Sequence, residues 1–327
     1  AVVSVGITAA LEYRIARRSI EQQSFQYLIA VREMKANQIE DYLRIIVDQA
    51  VTMAESRLIV EAMRDFREAF RSMKEDRLAD ELGEQDLRLY YQTEFFPRLE
   101  STGDAEGNLD DYWPRDETAR RLQKIYIHDN PFETGSKHLL DDALDGSTYS
   151  QAHRQYHPWI RNFLERFGYY DIFLIDHESG KVIYSVFKEV DFGTSLIDGP
   201  YWGTNLAEAF QSARDAGRGK FKIVDFRPYA PSYGGQASFI ATPIYDGDDV
   251  IGVLAFQMPV DRINDIMTSR QEWGRVGLGD TGETYIVGDD LTLRNQSRFL
   301  IEDRENYLRM IKQLGVAYGT IRQIEET

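Results

Sequence analysis

Between Ile7 and Leu82 there is neither glycine nor proline, a run of 76 residues. Without those two breakers, an extended helix is what the chain most readily forms. Apolar residues recur at Leu28, Val31, Ile39, Tyr42, Ile46 and Met53, with Ala50 filling a step. Spacings of three, four and eight put them on one helical stripe. A helix from about Leu11 to Arg57 would be roughly 70 Å long at 1.5 Å per residue. Part of it is expected to lie along its own domain. The rest has little of its own chain to pack on and is expected to pair with a second copy.

The chain opens with an uncharged, mostly apolar segment, Ala1 to Leu11. A bilayer span needs about 20 such residues, so residues 1–11 are read as the end of a transmembrane helix. Arg14, Arg17 and Arg18 come directly after it, and a positive flank usually faces the cytoplasm. That flank counts against an external location for the residues C-terminal to it. The net charge of −16 argues against nucleic acid as a partner. There is no cysteine, which excludes thiol catalysis, disulfides and thiolate metal sites.

Residues 59–165 read mainly as shorter helices, with charges alternating from Arg64 to Glu81 and loop signals at Ser101 to Asp104, Glu106 to Asn108, Asn130-Pro131 and Asp145 to Ser147. From Phe167 the pattern changes to strand-like runs at 170–176, 181–187, 220–226, 236–245 and 249–257. Asp246-Gly247-Asp248 is a hairpin signal, and a helix is expected from Tyr201 to Ala216. Hairpin, helix and three further strands match a PAS-like five-stranded antiparallel lobe. A second ribbon resembling the first begins at Glu283-Thr284-Tyr285-Ile286-Val287, turns at Gly288-Asp289-Asp290 and returns through Leu291 to Arg294.

Several of these segments resemble one known family, the double Cache (dCache) extracytoplasmic sensor domains of bacterial chemoreceptors, sensor histidine kinases and membrane-bound cyclases. They are Phe167 to Asp176 with Ser179 to Glu189, Tyr229-Ala230-Pro231-Ser232 leading into Phe239 to Ile244, Ile251 to Pro259, and Leu278 to Gly288. Thr281-Gly282-Glu283-Thr284-Tyr285 is the most specific. The resemblance implies an α+β fold in which a long N-terminal helix carries two PAS-like antiparallel-sheet lobes, the second truncated. The expected divisions are the span end at 1–11, the long helix at 12–58, a mainly helical distal part at 59–165, a ligand-sensing distal lobe at 166–269 and the start of a proximal lobe at 270–327. It further implies a periplasmic or extracellular segment of an inner-membrane receptor, flanked by transmembrane helices and dimeric through its first helix. A small-molecule ligand would be sensed in the distal lobe, with no cofactor and no catalysis in this chain.

Amino-acid-binding members of that family carry a Tyr, an Arg, a Trp-Tyr pair and an Asp around the distal pocket. The corresponding candidates are Tyr184, Lys188, Asp191, Tyr201, Asp225 and Tyr229. Lys188 stands where the arginine is expected, and Tyr201-Trp202 reverses the aromatic order. These departures move the expected ligand from a standard amino acid toward a small amine or carboxylate, bound through Lys188 and Asp225. His153 and His157 have the i, i+4 spacing of metal ligands. No third ligand is suggested nearby, so both are read as structural. Two other readings are an α+β hydrolase with a carboxylate pair and a coiled-coil scaffold.

Overall fold

The computed structural model describes residues 2–75, 81–103, 105, 107–316, 321 and 324. Ala1 of the expected span, residues 76–80 of the charged run, Asp104 and Glu106 of the expected loops, and most of the tail after Val316 lie outside them. The first element is a single helix, α1 (Val2–Glu55). No helix among the described residues is long and apolar enough to cross a membrane. The chain divides into two compact units, Ala1–Ile45 with Arg262–Ile301, and Ile46–Asp261 with Glu302–Thr327.

The larger unit is built on one antiparallel sheet. Its strands are β1 (Asp171–Asp176), β2 (Val182–Ser185), β3 (Lys222–Tyr229), β4 (Gly235–Asp246) and β5 (Asp249–Gln257), in the order β2-β1-β5-β4-β3. This is the α+β, PAS-like arrangement expected from the strand pattern. All six residues of β1 are buried. A strand covered on both faces reads as a continuous apolar run rather than an alternating one, which is why Ile172-Phe173-Leu174-Ile175 has no polar spacing.

Alternation along β1 defines the two faces. Phe173 and Ile175 join Val253, Ala255, Phe239 and Ala241 in a core capped by Leu206 and Phe210. Those last two belong to a helix, Asn205–Arg214. The opposite face packs on the helices Arg57–Glu75 and Thr148–Phe167. There Tyr184 is paired in register with Leu174 and lies 4.9 Å from the ring of Phe66. Under this helical layer lies Gly252 in β5, where a Cβ would sit 2.9 Å from the Ile175 carbonyl oxygen, backbone that cannot yield, as well as against the flexible end of Met63.

Before the sheet, Glu117–Gln123 forms a short helix whose N-terminus is capped by Asp116 accepting from the Ala119 N–H. A π-helical turn, Lys124–His128, extends it. These elements matter because Gln123 reaches into the sheet lobe.

The smaller unit buries Val31 of α1 with Trp273 and Leu278. The second ribbon seen in the sequence is present here as a single bridge, Val287 to Leu293, and is not part of the five-stranded sheet. It is held by Asn295, whose Oδ1 accepts from the Ile286 N–H at 2.7 Å.

Candidate functional site

The segment after β2 is rich in buried charge for so short a loop. Asp171 opens β1 and is fully buried. Its Oδ1 accepts from the N–H groups of Ile172, Val186 and Phe187, and its Oδ2 from the Ser185 hydroxyl at 2.7 Å. One carboxylate thereby shapes the exit from β2 and ends that strand at Ser185. Lys188 lies three residues on, in the left-handed region (φ 60°), a conformation costly for a residue with a Cβ. Its ammonium donates to the Ser185 carbonyl and lies over the rings of Tyr184, Phe192 and Tyr126, at 4.5, 5.4 and 5.8 Å. Burial pushes the Lys188 amine below its ordinary range and the Asp171 carboxyl above its own.

Two further carboxyl groups lie within three residues. Glu189 is half-buried and accepts from Ser232 at 2.7 Å and from Tyr170 at 3.2 Å. Its carboxyl is pushed well up by desolvation and then by the Asp191 charge. Asp191 is fully buried and accepts from the Tyr229 hydroxyl at 2.5 Å. Desolvation raises it to about 7. Its other oxygen, Oδ1, takes no hydrogen bond from another side chain; the N–H groups of Asp191 itself and of Phe192 face the carboxyl, and the buried hydroxyl of Tyr201 faces that of Tyr91. A buried carboxylate oxygen with no side-chain donor and no cation beside it is able to accept a hydrogen bond from a ligand.

The loop is positioned from the helical region. Gln123, fully buried, donates to the carbonyls of Val190 and Phe192 at 2.7 and 2.8 Å and accepts from Tyr91 at 2.7 Å. Tyr170 at the surface, half-buried Glu189 and Ser232, and Asp191 behind them form a graded polar path inward.

The six residues singled out by sequence fall into three places. Asp191, Tyr201 and Tyr229 come together on the face packed by helix Asn205–Arg214. Tyr184 and Lys188 sit on the opposite face, and the Tyr184 hydroxyl donates to His157 Nδ1 at 2.8 Å. Asp225 is exposed in a bulge of β3 between Val224 and Arg227, where its carboxylate accepts from the Phe226 N–H. Lys188 and Asp191 do not pair with each other: Lys188 is placed by Ser185, Asp191 by Tyr229.

Sequence reasoning missed Asp171, Glu189 and Gln123. Asp171 carried a usable signal, a charge opening a wholly apolar strand. Gln123 carried none.

The two histidines stack on each other at 4.2 Å. Carbonyl acceptors fix their tautomers: His153 Nδ1–H donates to Asp141 O and His157 Nε2–H to His138 O. Both are held neutral, their pKa values pushed well down by burial. Among the described residues no group of three or more His, Asp or Glu is arranged to hold a metal ion.

No protein-family model matches the sequence, and no curated protein matches it. Among solved structures, the chain is similar to the sensor domain of the V. cholerae histidine kinase DctB, at 18% identity over 45% of this chain and 52% of that one, with a TM-score of 0.28. It therefore spans about half the length of that domain. It is also similar to the ligand-binding domain of the Pseudomonas fluorescens chemoreceptor CtaA in complex with L-serine, at 12% identity over 71% and 74%, with a TM-score of 0.29. The sensory domain of a Campylobacter jejuni chemoreceptor with isoleucine bound matches at 12% identity over 71% and 84%, with a TM-score of 0.33. The three are described as a sensor domain, a ligand-binding domain and a sensory domain.

Proposed function

We propose that this chain is the extracytoplasmic small-molecule-sensing domain of a bacterial transmembrane signalling receptor, with its ligand bound at Asp191 in the five-stranded lobe. The observation that carries this reading is the fully buried Asp191 carboxyl beside Glu189, its Oδ1 without a side-chain donor and no cation paired to either group among the described residues. A ligand ammonium supplies both the missing donor and the missing charge. The Tyr201 hydroxyl supplies a further polar contact, and the surrounding aromatic rings suit a small apolar side group. An amine or amino acid is the substrate class that fits. Lys188 stands on the other face of the sheet, so the ligand's carboxylate, where it has one, is not assigned to it.

The chain acts by binding alone in this reading. The ligand favours one arrangement of the loop, and its differential affinity for the two arrangements sets the output. Each tenfold change in their balance needs about 1.4 kcal/mol of preference. Kinase, cyclase or chemotaxis output, the flanking membrane helices and dimer formation through α1 belong to the same proposal.

Titration calorimetry with a panel of amino acids and amines, each beside its deaminated analogue, tests it. A charge-assisted hydrogen bond contributes about 1.5–3 kcal/mol, so Asp191→Ala is expected to weaken binding at least tenfold. Asp225→Ala, on the exposed bulge, is the comparison. Equal binding by Asp191→Ala, or by the deaminated analogue, would refute the assignment.

A further inference from the structure

The smaller unit holds a cavity of its own. It measures about 540 Å³ and is lined by Leu28, Val31, Lys35 and Ile39 of α1 together with Met267 and Tyr285. That volume lies within the range of small-molecule sites, about 300–1,000 Å³. Its walls are mainly apolar, with one exception that matters. Lys35 is only 4% exposed, and its ammonium donates to the Ile266 carbonyl and to Ser269 Oγ.

Both partners are neutral. Among the described residues no carboxylate lies within ion-pairing distance of Lys35, whose pKa is lowered by burial alone. The carboxylates in the same walls are otherwise placed. Glu283 accepts from the Ser297 hydroxyl and the Arg298 N–H, and Glu40 is exposed to solvent. Arg32, also in the wall, pairs with Glu33 outside the cavity. An ammonium has three hydrogens to donate, and two are used. Burying a cation without a counter-charge is costly, and a cavity with apolar walls supplies no relief from within.

The acceptors that hold Lys35 are themselves set by an unusual backbone. Ser269, Arg270 and Gln271 are consecutive residues with φ of 55°, 55° and 65°. Left-handed conformations cost energy for non-glycine residues and persist where surrounding structure enforces them. Here the turn presents Ser269 Oγ to Lys35, so the ammonium is fixed in position before any ligand arrives.

We propose that this cavity is a second ligand site, taking a small apolar monocarboxylate. Its carboxylate accepts the third hydrogen of Lys35 and neutralises the buried charge. Its hydrocarbon part fills the space between Val31, Ile39 and Met267. The site is independent of Asp191 and selects the opposite charge.

Calorimetry on the full chain with phenylacetate, benzoate and isovalerate, each beside its amide, tests this. At least one acid is expected to bind, at least tenfold more tightly than its neutral amide. Lys35→Met keeps the aliphatic volume and is expected to lose at least tenfold in affinity for that acid. Should that variant fail to fold, Ala36→Phe fills the cavity from α1 with Lys35 intact and is expected to abolish binding. Asp191→Ala is expected to bind the acid as the parent does, so failure here and failure of the amine site are told apart. No binding by any of the three acids, equal binding of an amide, or undiminished binding by a folded Lys35→Met or Ala36→Phe variant would overturn the proposal. Self-association of the parent that Ala36→Phe disrupts, without acid binding, would give the groove to a second copy and overturn it as well.

Discussion

Replacing Asp191 by Asn removes a charge and keeps an acceptor for Tyr229, which makes it a direct measure of what ionising this buried group costs. The group titrates near 3.8 when solvated and is raised to about 7 in the fold. A raised carboxyl pKa means that, as pH climbs from 4, the unfolded chain releases its proton first while the folded chain keeps its own. The folded state then binds more protons than the unfolded state, so stability falls with rising pH through that window. A shift of roughly 3 units at 1.36 kcal/mol each puts the full loss on the order of 4 kcal/mol, complete above about pH 7. Asn does not titrate. The stability of Asp191→Asn relative to the parent is therefore expected to improve between about pH 4 and pH 8, by up to that amount and by at least about 1.4 kcal/mol. Any pH-independent cost of the amide, such as an unpaired NH₂ in the place of Oδ1, cancels in the difference between the two pH values. Urea unfolding at both ends of the range, monitored by tryptophan fluorescence, measures it. A relative stability that stays flat with pH, within about 0.5 kcal/mol, would show that Asp191 is not held in a desolvated site.

Two other perturbations address the supports of that site. Gln123→Leu removes the side-chain partner of two buried carbonyls and of the Tyr91 hydroxyl; at about 1–3 kcal/mol for each of the two carbonyls it is expected to destabilise the larger unit by roughly 2–6 kcal/mol, against less than about 0.5 kcal/mol for the exposed Gln85→Leu, and similar urea midpoints for the two would contradict the account. His153 and His157 are both held neutral, so protons that the unfolded chain takes up below about pH 6.5 draw stability from the fold as pH falls. His157→Gln keeps a donor for His138 O and an acceptor for Tyr184 but cannot charge. It is expected to lose less stability than the parent on acidification from about pH 7 to pH 5, and an equal loss would remove His157 from the explanation.

The sheet was largely legible in the sequence because β1, β2 and most of β4 and β5 are covered on both faces. Runs such as Ile172 to Ile175 and Ile251 to Phe256 have no polar interruption. The expected runs at 170–176 and 249–257 meet β1 and β5 almost residue for residue. Strand β2 is shorter than its expected run partly because Asp171 takes the Phe187 N–H and shares that of Val186 with the Ile172 carbonyl, a long-range contact that no local pattern encodes. Asp225 read as a strand-end carboxylate near a ligand. The bulge that turns it to solvent is stabilised partly by Asn205, whose amide reaches the carbonyls of Asp225 and Ala237 from a separate helix. Asp191, Tyr201 and Tyr229, three of the six residues named from the sequence, lie together in the fold, although the sequence reading places the acidic ligand contact at Asp225 rather than Asp191. Tyr184 lies on the opposite face of the sheet, a distinction linear sequence does not make when both faces are apolar. The second ribbon was visible as a strand pattern, yet it forms only one bridge, as expected of a hairpin with little sheet to join.

The loop from Lys188 to Asp191 is moored from three directions: by Asp171 to the sheet, by Gln123 to the helical region and by Tyr229 to the far edge strand. On the proposed reading, a cation arriving at Asp191 takes Oδ1 and draws on the carboxylate whose Oδ2 holds Tyr229, while the other two moorings hold. The loop is then left free to pivot about fixed points rather than to melt. On that reading, arrival of a molecule no larger than an amine becomes a directed movement of backbone.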